Sequence, residues 1–325
     1  MAMTAATAVD GGRANAAAIR RNQWNSTGGA TGITTPGDLK VTALSVPGTA
    51  VNIAPGGGTI ASTYPTAGKC ESYGVNNDAT FQVQIPGGMP ADMNWAVIIR
   101  IDDYHYNGGT KPTDPKTALY NKPDVVFAAN LGALIDPYLL LATVWVPKNK
   151  ATITNDMITD RREVTAPRTK LVPRTNALLD SETEQLTNTT DAGERFPNAG
   201  GLQRIDVPYW ATRMVVTAHL DGMLVTAAKC TGRLWIAWGD DDGSGVYFVE
   251  KTQEASYASE ANANASRIDK RVSDYVAIPA KYRGRSNVAF ATMGRVVTGQ
   301  GPTMDGLSEV SLDVWFEEVA DPSYT

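Results

Sequence analysis

Trp95-Ala-Val-Ile-Ile-Arg-Ile-Asp-Asp103, Leu139-Leu-Leu-Ala-Thr-Val-Trp-Val146 and Ile153-Thr-Asn-Asp-Met-Ile-Thr-Asp-Arg-Arg162 punctuate residues 94–162 and decide the fold class. The first two runs are apolar, β-branched or aromatic, of strand length, and bounded by Gly, Pro, Asn and Asp, so they read as strands. Their apolar character does not alternate. In the second run Leu139, Leu141 and Trp145 point one way, and Leu140, Val144 and Val146 the other. Both faces then need cover, from a second sheet and from something else, with a further copy of the chain as a candidate.

Outward from this stretch the signal stays β. Val41 to Val46, Val51-Asn-Ile53 and the period-two run Phe81-Gln-Val-Gln-Ile85 precede it, with Phe81, Val83 and Ile85 expected inward. Pro47-Gly48, Pro55-Gly-Gly-Gly58 and Pro86-Gly-Gly88 supply the turns. Beyond residue 200, short runs recur, among them 204–207, 214–220, 234–238, 246–250, 275–278, 288–292 and 309–317. The last is the clearest, with Val310, Leu312, Val314 and Phe316 inward and Trp315 outward. About seven such strands indicate a sandwich or jelly roll, with 254–267 as a long loop or brief helix. The expectation is a mainly β chain: an N-terminal extended arm and two β-sandwich or jelly-roll-like modules. The boundaries are 1–40 (arm), 41–165 (module for attachment and oligomerisation), 166–200 (linker) and 201–325 (outward-facing module).

Composition agrees. The chain has 325 residues, 30 Gly and 18 Pro, and a net charge of 29 − 34 = −5. There is no basic run to follow a nucleic-acid backbone and no apolar stretch near the roughly 18–20 residues that span a bilayer. Cys70 and Cys230 make neither a disulfide framework nor a metal cluster. The first ten residues lack the basic and apolar regions of a signal peptide. Residues 1–40, rich in Ala, Gly, Thr and Asn, read as an arm anchored by Trp24 on a neighbouring subunit. Opposite charge blocks at 161–174 and 180–195 mark the module boundary.

Catalytic signals are sparse. Only His105 and His219 are present, and no Gly-x-Ser-x-Gly elbow accompanies them. Gly68-Lys69 lacks the hydroxyl residue and the earlier glycine of a P-loop. Asp240-Asp-Asp-Gly-Ser-Gly245 starts like a calcium loop, but Lys251 stands where its bidentate Glu belongs, so it reads as a hairpin turn. No cofactor, metal or catalytic residue is expected.

The order of the Arg-Ile-Asp-Asp strand, the Gly/Pro-rich excursion, the Leu-Leu-Ala-x-Val-x-Val strand and the Ile-Thr-x-x-x-Ile-x-Asp-Arg-Arg ending resembles the minor tail or upper-baseplate proteins of siphophages, across about residues 24–162. The resemblance implies a virion component of the tail tip or baseplate, assembled in the host cytoplasm, that aids host adsorption by binding cell-surface glycan. Together with the two-sided strand 139–146 and the low-charge surface it suggests a homotrimer contacting other tail-tip proteins, with Trp24 of the arm and Leu140 and Trp145 of that strand as the expected assembly contacts. For host cell-wall glycan the expected contacts are Tyr257, Asn262, Asp240, Asp241, Asp242 and Trp315, with the loop region 104–138 next in line. A carbohydrate-binding protein outside any virion and a polysaccharide hydrolase on a β-sandwich are the competing readings.

Overall fold

The computed structural model describes residues 15–65, 70–113, 120–177, 183–198, 200–226, 229–241, 248–259 and 265–320. The chain divides into two compact units, Met1–Pro167 and Arg168–Thr325. It is mainly β, built from several antiparallel sheets with a short N-terminal helix.

Unit 1 begins with α1 (Ala16–Thr27). Its sequence is Ala-rich at the start, Asn15 caps it by accepting the Ala18 amide (2.7 Å), and Gly28 closes it in the left-handed region. The strands follow as β1 (Gly32–Ile33), β2 (Val41–Ala43), β3 (Ala50–Ile53), β4 (Gly56–Ala61), β5 (Ser72–Asn77), β6 (Phe81–Gln84) and β7 (Met93–Ile101). The helical turn α2 (Tyr104–Asn107) separates these from β8 (Asn121–Phe127), β9 (Tyr138–Val146) and β10 (Ile158–Asp160). They form three sheets, β1-β4-β5, β2-β3-β6 and β10-β9-β7-β8. In the last two, β2 lies beside β10 and β6 beside β8, so the sheets meet at both edges.

The organising strands behave differently from their sequence reading. In β9, Val97 of β7 faces Ala142 and Ile98 faces Leu140, which leaves Leu141 as an inserted residue. A bulge resets which side chains face inward. Leu139 and Leu141 before it, and Ala142, Val144 and Val146 after it, are all buried, while Trp145 is 51% exposed and Leu140 half-buried. The missing alternation is therefore a phase change, and it carries no requirement for a partner copy over β9. The central strand β7 is covered on both phases, Ala96 and Ile98 as well as Val97 and Ile99, by its own chain. Phe81 is also corrected: it starts β6 and is 47% exposed, while Val83 and Ile85 are buried as expected.

The N-terminal arm is corrected in the same way. Ala16–Thr27 forms a helix docked on β5 of unit 1, and the Trp24 indole covers Gly29, where a Cβ would lie 2.4 Å from its ring nitrogen; residues 1–14 of the expected arm lie outside the described residues. The Asp-Arg-Arg ending is structural. Buried Arg162 pairs with Asp160 and donates to the carbonyls of Pro36 and Asp38, tying the end of the unit to its beginning.

Unit 2 contains β11 (Thr169–Ala177), β12 (Glu184–Gln185), β13 (Glu194–Arg195), β14 (Leu202–Ile205), β15 (Arg213–Val225), β16 (Cys230–Asp241), β17 (Phe248–Lys251), β18 (Ala255–Ser259), β19 (Ser266–Ala277), β20 (Val288–Thr298), β21 (Thr303–Met304) and β22 (Glu309–Glu317). One sheet runs β11-β22-β15-β19, with β12 and β21 as short additions. The other runs from β13 and β14 through β20 and β16 to β17 and β18. With β13/β14 and β17/β18 each counted as one interrupted strand, the first of eight strands pairs with the last. The second then pairs with the seventh, the third with the sixth and the fourth with the fifth. This nested pairing is a jelly roll.

Its core lies between the sheets. Met214, Val216, Ala218 and Leu220 with Val310, Leu312, Val314 and Phe316 belong to the same cluster as Leu234, Ile236, Trp238 and Phe290 of the other sheet. The linker expectation for 166–200 fails here, because β11 is the first strand of the roll and pairs with β22 over nine residues. Segment 254–267 likewise supplies β18 and the start of β19.

Candidate functional site

In unit 1 a cleft of about 480 Å³ opens between α1, β5 and the α2 segment. That is within the size range of small-ligand sites. Ile19, Arg20 and Gln23 of α1 form one wall, Ser72, Tyr73 and Gly74 of β5 another, and Asp103, His105, Tyr120 and Asn121 the third.

The walls are fixed by a polar network. Arg20 donates through Nε to Glu71 (2.6 Å) and through its terminal nitrogen to Tyr106 (2.7 Å), with its guanidinium over the rings of Tyr73 (5.2 Å) and Tyr106 (5.4 Å). Burial works against its charge, but the Glu71 hydrogen bond and the nearby Tyr73 outweigh it and raise the Arg20 pKa. Tyr106 stacks on Tyr64 (5.5 Å), whose buried hydroxyl reaches Asp136 (2.8 Å) and the Ile101 carbonyl and accepts the Asp103 amide (3.1 Å). Asp103 caps α2 through the His105 amide (3.1 Å) and accepts the Tyr73 hydroxyl (3.0 Å). Burial, with Asp103 adding to it for Tyr73, pushes both Tyr64 and Tyr73 well above the ordinary phenol range. Asp102 is held below the ordinary carboxylate range by Lys122 and Asn107.

A buried hydroxyl on the wall lies outside this network. The Ser72 hydroxyl, on a residue 1% exposed at the cleft wall, has no hydrogen-bond partner. A buried hydroxyl without a partner is unfavourable by about 1–3 kcal/mol. Gly74, also on the wall, faces open space where its Cβ would lie.

The loop 104–138 therefore has structure of its own. It holds α2, β8 and the 3-10 segment Ala128–Ala133. Pro123 hid β8, since proline interrupts a strand reading, yet β8 is a sheet edge, where a missing amide is tolerated. The partnership of Arg20 with Glu71 across 51 residues left no sequence signal.

The sequence-chosen glycan contacts disperse. Tyr257 is 1% exposed in the jelly-roll core, where Gly232 leaves room for its hydroxyl; a Cβ on Gly232 would lie 2.2 Å from it. A side chain in that place cannot meet a glycan, and burial pushes the Tyr257 pKa upward. Asp240 is tied to Arg285 (2.6 Å), which with desolvation opposing it keeps the carboxyl below its ordinary range. Asp242 and Asn262 lie outside the described residues, and of Asp241 only the backbone, at the end of β16, is described. Trp315 is 44% exposed on the outer face of β22, as its phase predicts. Among the described residues no group of three or more His, Cys, Asp or Glu side chains is placed to hold a metal, and no helix is long and apolar enough to cross a membrane.

No known protein family matches the sequence, and no curated protein matches it. Solved structures of infectious bursal disease virus show a low-scoring similarity. The Gx strain structure is 14% identical, with 88% of this chain and 70% of that chain covered, at a TM-score of 0.22. The VP2 subviral particle is 14% identical over 91% and 81%, at 0.23, and the T13 viral particle 14% over 93% and 82%, at 0.23. The chain thus has a distant structural similarity to virus particle proteins, and at these scores it carries no argument about function.

Proposed function

We propose that the chain is a structural component of a phage tail tip or baseplate that aids host adsorption by holding a neutral sugar residue of cell-surface glycan in the unit 1 cleft. The observation that carries the sugar reading is the unpartnered hydroxyl of Ser72, a residue that lines the cleft together with Tyr73, His105, Tyr120, Gln23 and Asn121. Rings stack on sugar faces, and hydroxyl and amide groups meet sugar hydroxyls. A neutral ligand suits the charges, because Arg20 is matched by Glu71, and Asp103 is engaged by Tyr73 and the His105 amide. Those engagements also favour binding over hydrolysis, which needs carboxyls available to the bond being cut. The phage assignment rests on the order of motifs in residues 94–162.

The test is nuclear magnetic resonance of the full chain with methyl glycosides of neutral hexoses and of N-acetylhexosamines. At least one should show line broadening that disappears in Gly74→Phe, a variant whose side chain enters open space and leaves the melting temperature unchanged. Absence of binding by the wild-type chain to every glycoside overturns the reading, as does equal binding by the folded variant.

A further inference from the structure

The outer face of the β11-β22-β15-β19 sheet carries an apolar row set by register. Leu171 lies opposite Trp315, Trp315 opposite Val215, and Val215 opposite Tyr275, one side chain from each of four adjacent strands. Leu171 is 52% exposed, Trp315 44% and Tyr275 56%, with Val215 half-buried between them. At about 4.8 Å per strand the row is roughly 14 Å wide. The inward phase of these strands already fills the core, so the row adds nothing to it.

The surroundings of the row decide what covers it. On one side Arg213 pairs with Glu317 (2.7 Å) and lies over the Tyr275 ring (5.3 Å). On the other the Thr217 and Ser273 hydroxyls bond each other (2.7 Å). A sugar would need open polar groups there, and two of the four row members are aliphatic. Protein interfaces instead have an apolar centre rich in Trp, Tyr and Leu-sized side chains within a polar rim. Near the row the charges on this face, Arg213 and Arg271 against Glu317 and Asp313, balance in sign, with Asp221 and Glu309 farther along the sheet. Copies of the same face can therefore approach without like-charge repulsion, which a closed symmetric assembly requires.

We infer that this row is the self-association face of the jelly roll, covered by the same face of further copies of the chain about a rotation axis. Trp315 is then an assembly anchor and not a glycan contact. This stands independently of what the unit 1 cleft binds.

Sedimentation equilibrium of the full chain tests it, with Trp315→Glu and Leu171→Asp as disruptive variants and Leu307→Glu, at a 78% exposed position off the row, as control. The wild-type chain and the control should associate at micromolar concentration, and each row variant should weaken association by about tenfold or more. Circular dichroism and melting confirm that the variants are folded; Leu171 lies on an edge strand, where a charge is tolerated if Trp315→Glu is not. A wild-type chain that stays single at tens of micromolar overturns the inference. So do folded row variants that associate like wild type, including any that instead lose glycoside binding at unchanged mass.

Discussion

In the unit 1 cleft the charged groups are closed on one another, and the buried hydroxyl of Ser72 on the wall has no partner. On the outer face of the jelly-roll sheet the polar groups flanking the row are paired, Arg213 with Glu317 and Thr217 with Ser273, and the row itself is apolar and exposed: Leu171, Trp315 and Tyr275. Under the two proposals, the difference separates two kinds of recognition within one chain. An unmet hydrogen-bonding group in an enclosed space selects a small polar ligand, because only a matching group removes its desolvation cost. An unmet apolar row on a flat sheet selects another protein surface, because burial of area is non-directional and needs a broad, dry partner.

The comparison is sharpened most strongly by adjacent positions of one strand. Phe316 is fully buried and Trp315, its neighbour on β22, is 44% exposed. Phe316→Ala should lower unfolding stability by about 3–5 kcal/mol. Trp315→Ala should change it by within about 0.5 kcal/mol when urea unfolding is measured at dilution sufficient to keep the chain dissociated. Similar losses at both positions would mean the row supports the fold of the single chain and is not a free face.

Next in size is the cleft wall. Glu71 is 2% exposed and holds Arg20, 13% exposed, so Glu71→Ala strands a mostly buried guanidinium. Breaking such a pair by removing one partner costs about 3 kcal/mol, and amide hydrogen exchange in α1 should rise with it, since α1 has no fully buried side chain of its own. Glu71→Gln, which keeps an acceptor, should cost clearly less. Unchanged exchange in α1 would show that the helix is held by something other than this pair.

These two regions also mark what the sequence could and could not disclose. Period-two strands announced themselves: β22 has its inward and outward phases where the residues place them, and β16 pairs with β17 as the expected hairpin. Strands with charge on the inward phase did not. β19 directs Lys270 and Asp274 toward the core side, opposite Leu220 and Val216, which breaks the apolar alternation. As a sheet edge it can let those ends reach water, and inward charges protect edges from unwanted pairing. β11 was hidden by Pro173 and by its basic residues, again at an edge. The bulge at Leu141 was read as a two-faced strand because one inserted residue shifts the phase without changing composition. Of the cleft only the 104–138 wall was legible, as a long loop region, because the other walls come from segments up to about a hundred residues apart.

A smaller effect concerns the root of the face. Glu318 follows β22 and forks with Arg168 (2.8 and 2.6 Å), just before β11. Chiefly through that hydrogen bond its pKa is held below the ordinary carboxylate range. A depressed folded-state value contributes stability that is present above the ordinary value, about 4.3, and is lost as pH falls through the folded one. Unit 2 should therefore lose melting temperature on acidification below the ordinary range, and Glu318→Gln should start lower at neutral pH and fall less. An identical pH slope in the variant would assign the acid sensitivity to other carboxylates.

The smallest expected effect tests the cleft at its buried unpartnered hydroxyl. If the Ser72 hydroxyl is kept for a ligand, it serves no purpose in the unliganded fold, since its residue is 1% exposed and the hydroxyl has no partner. Ser72→Ala removes that unmet group without adding volume, while the pairing of residue 72 with Ala61 is made by backbone and survives. The unliganded chain should thus gain up to about 1 kcal/mol in urea unfolding, while affinity for the bound glycoside falls by about tenfold for the lost hydrogen bond. The two readouts move in opposite directions, which a purely structural serine would not produce. A loss of stability together with unchanged glycoside binding would show that the hydroxyl belongs to the fold, and the cleft would then lose the feature that distinguishes it from the apolar face of the roll.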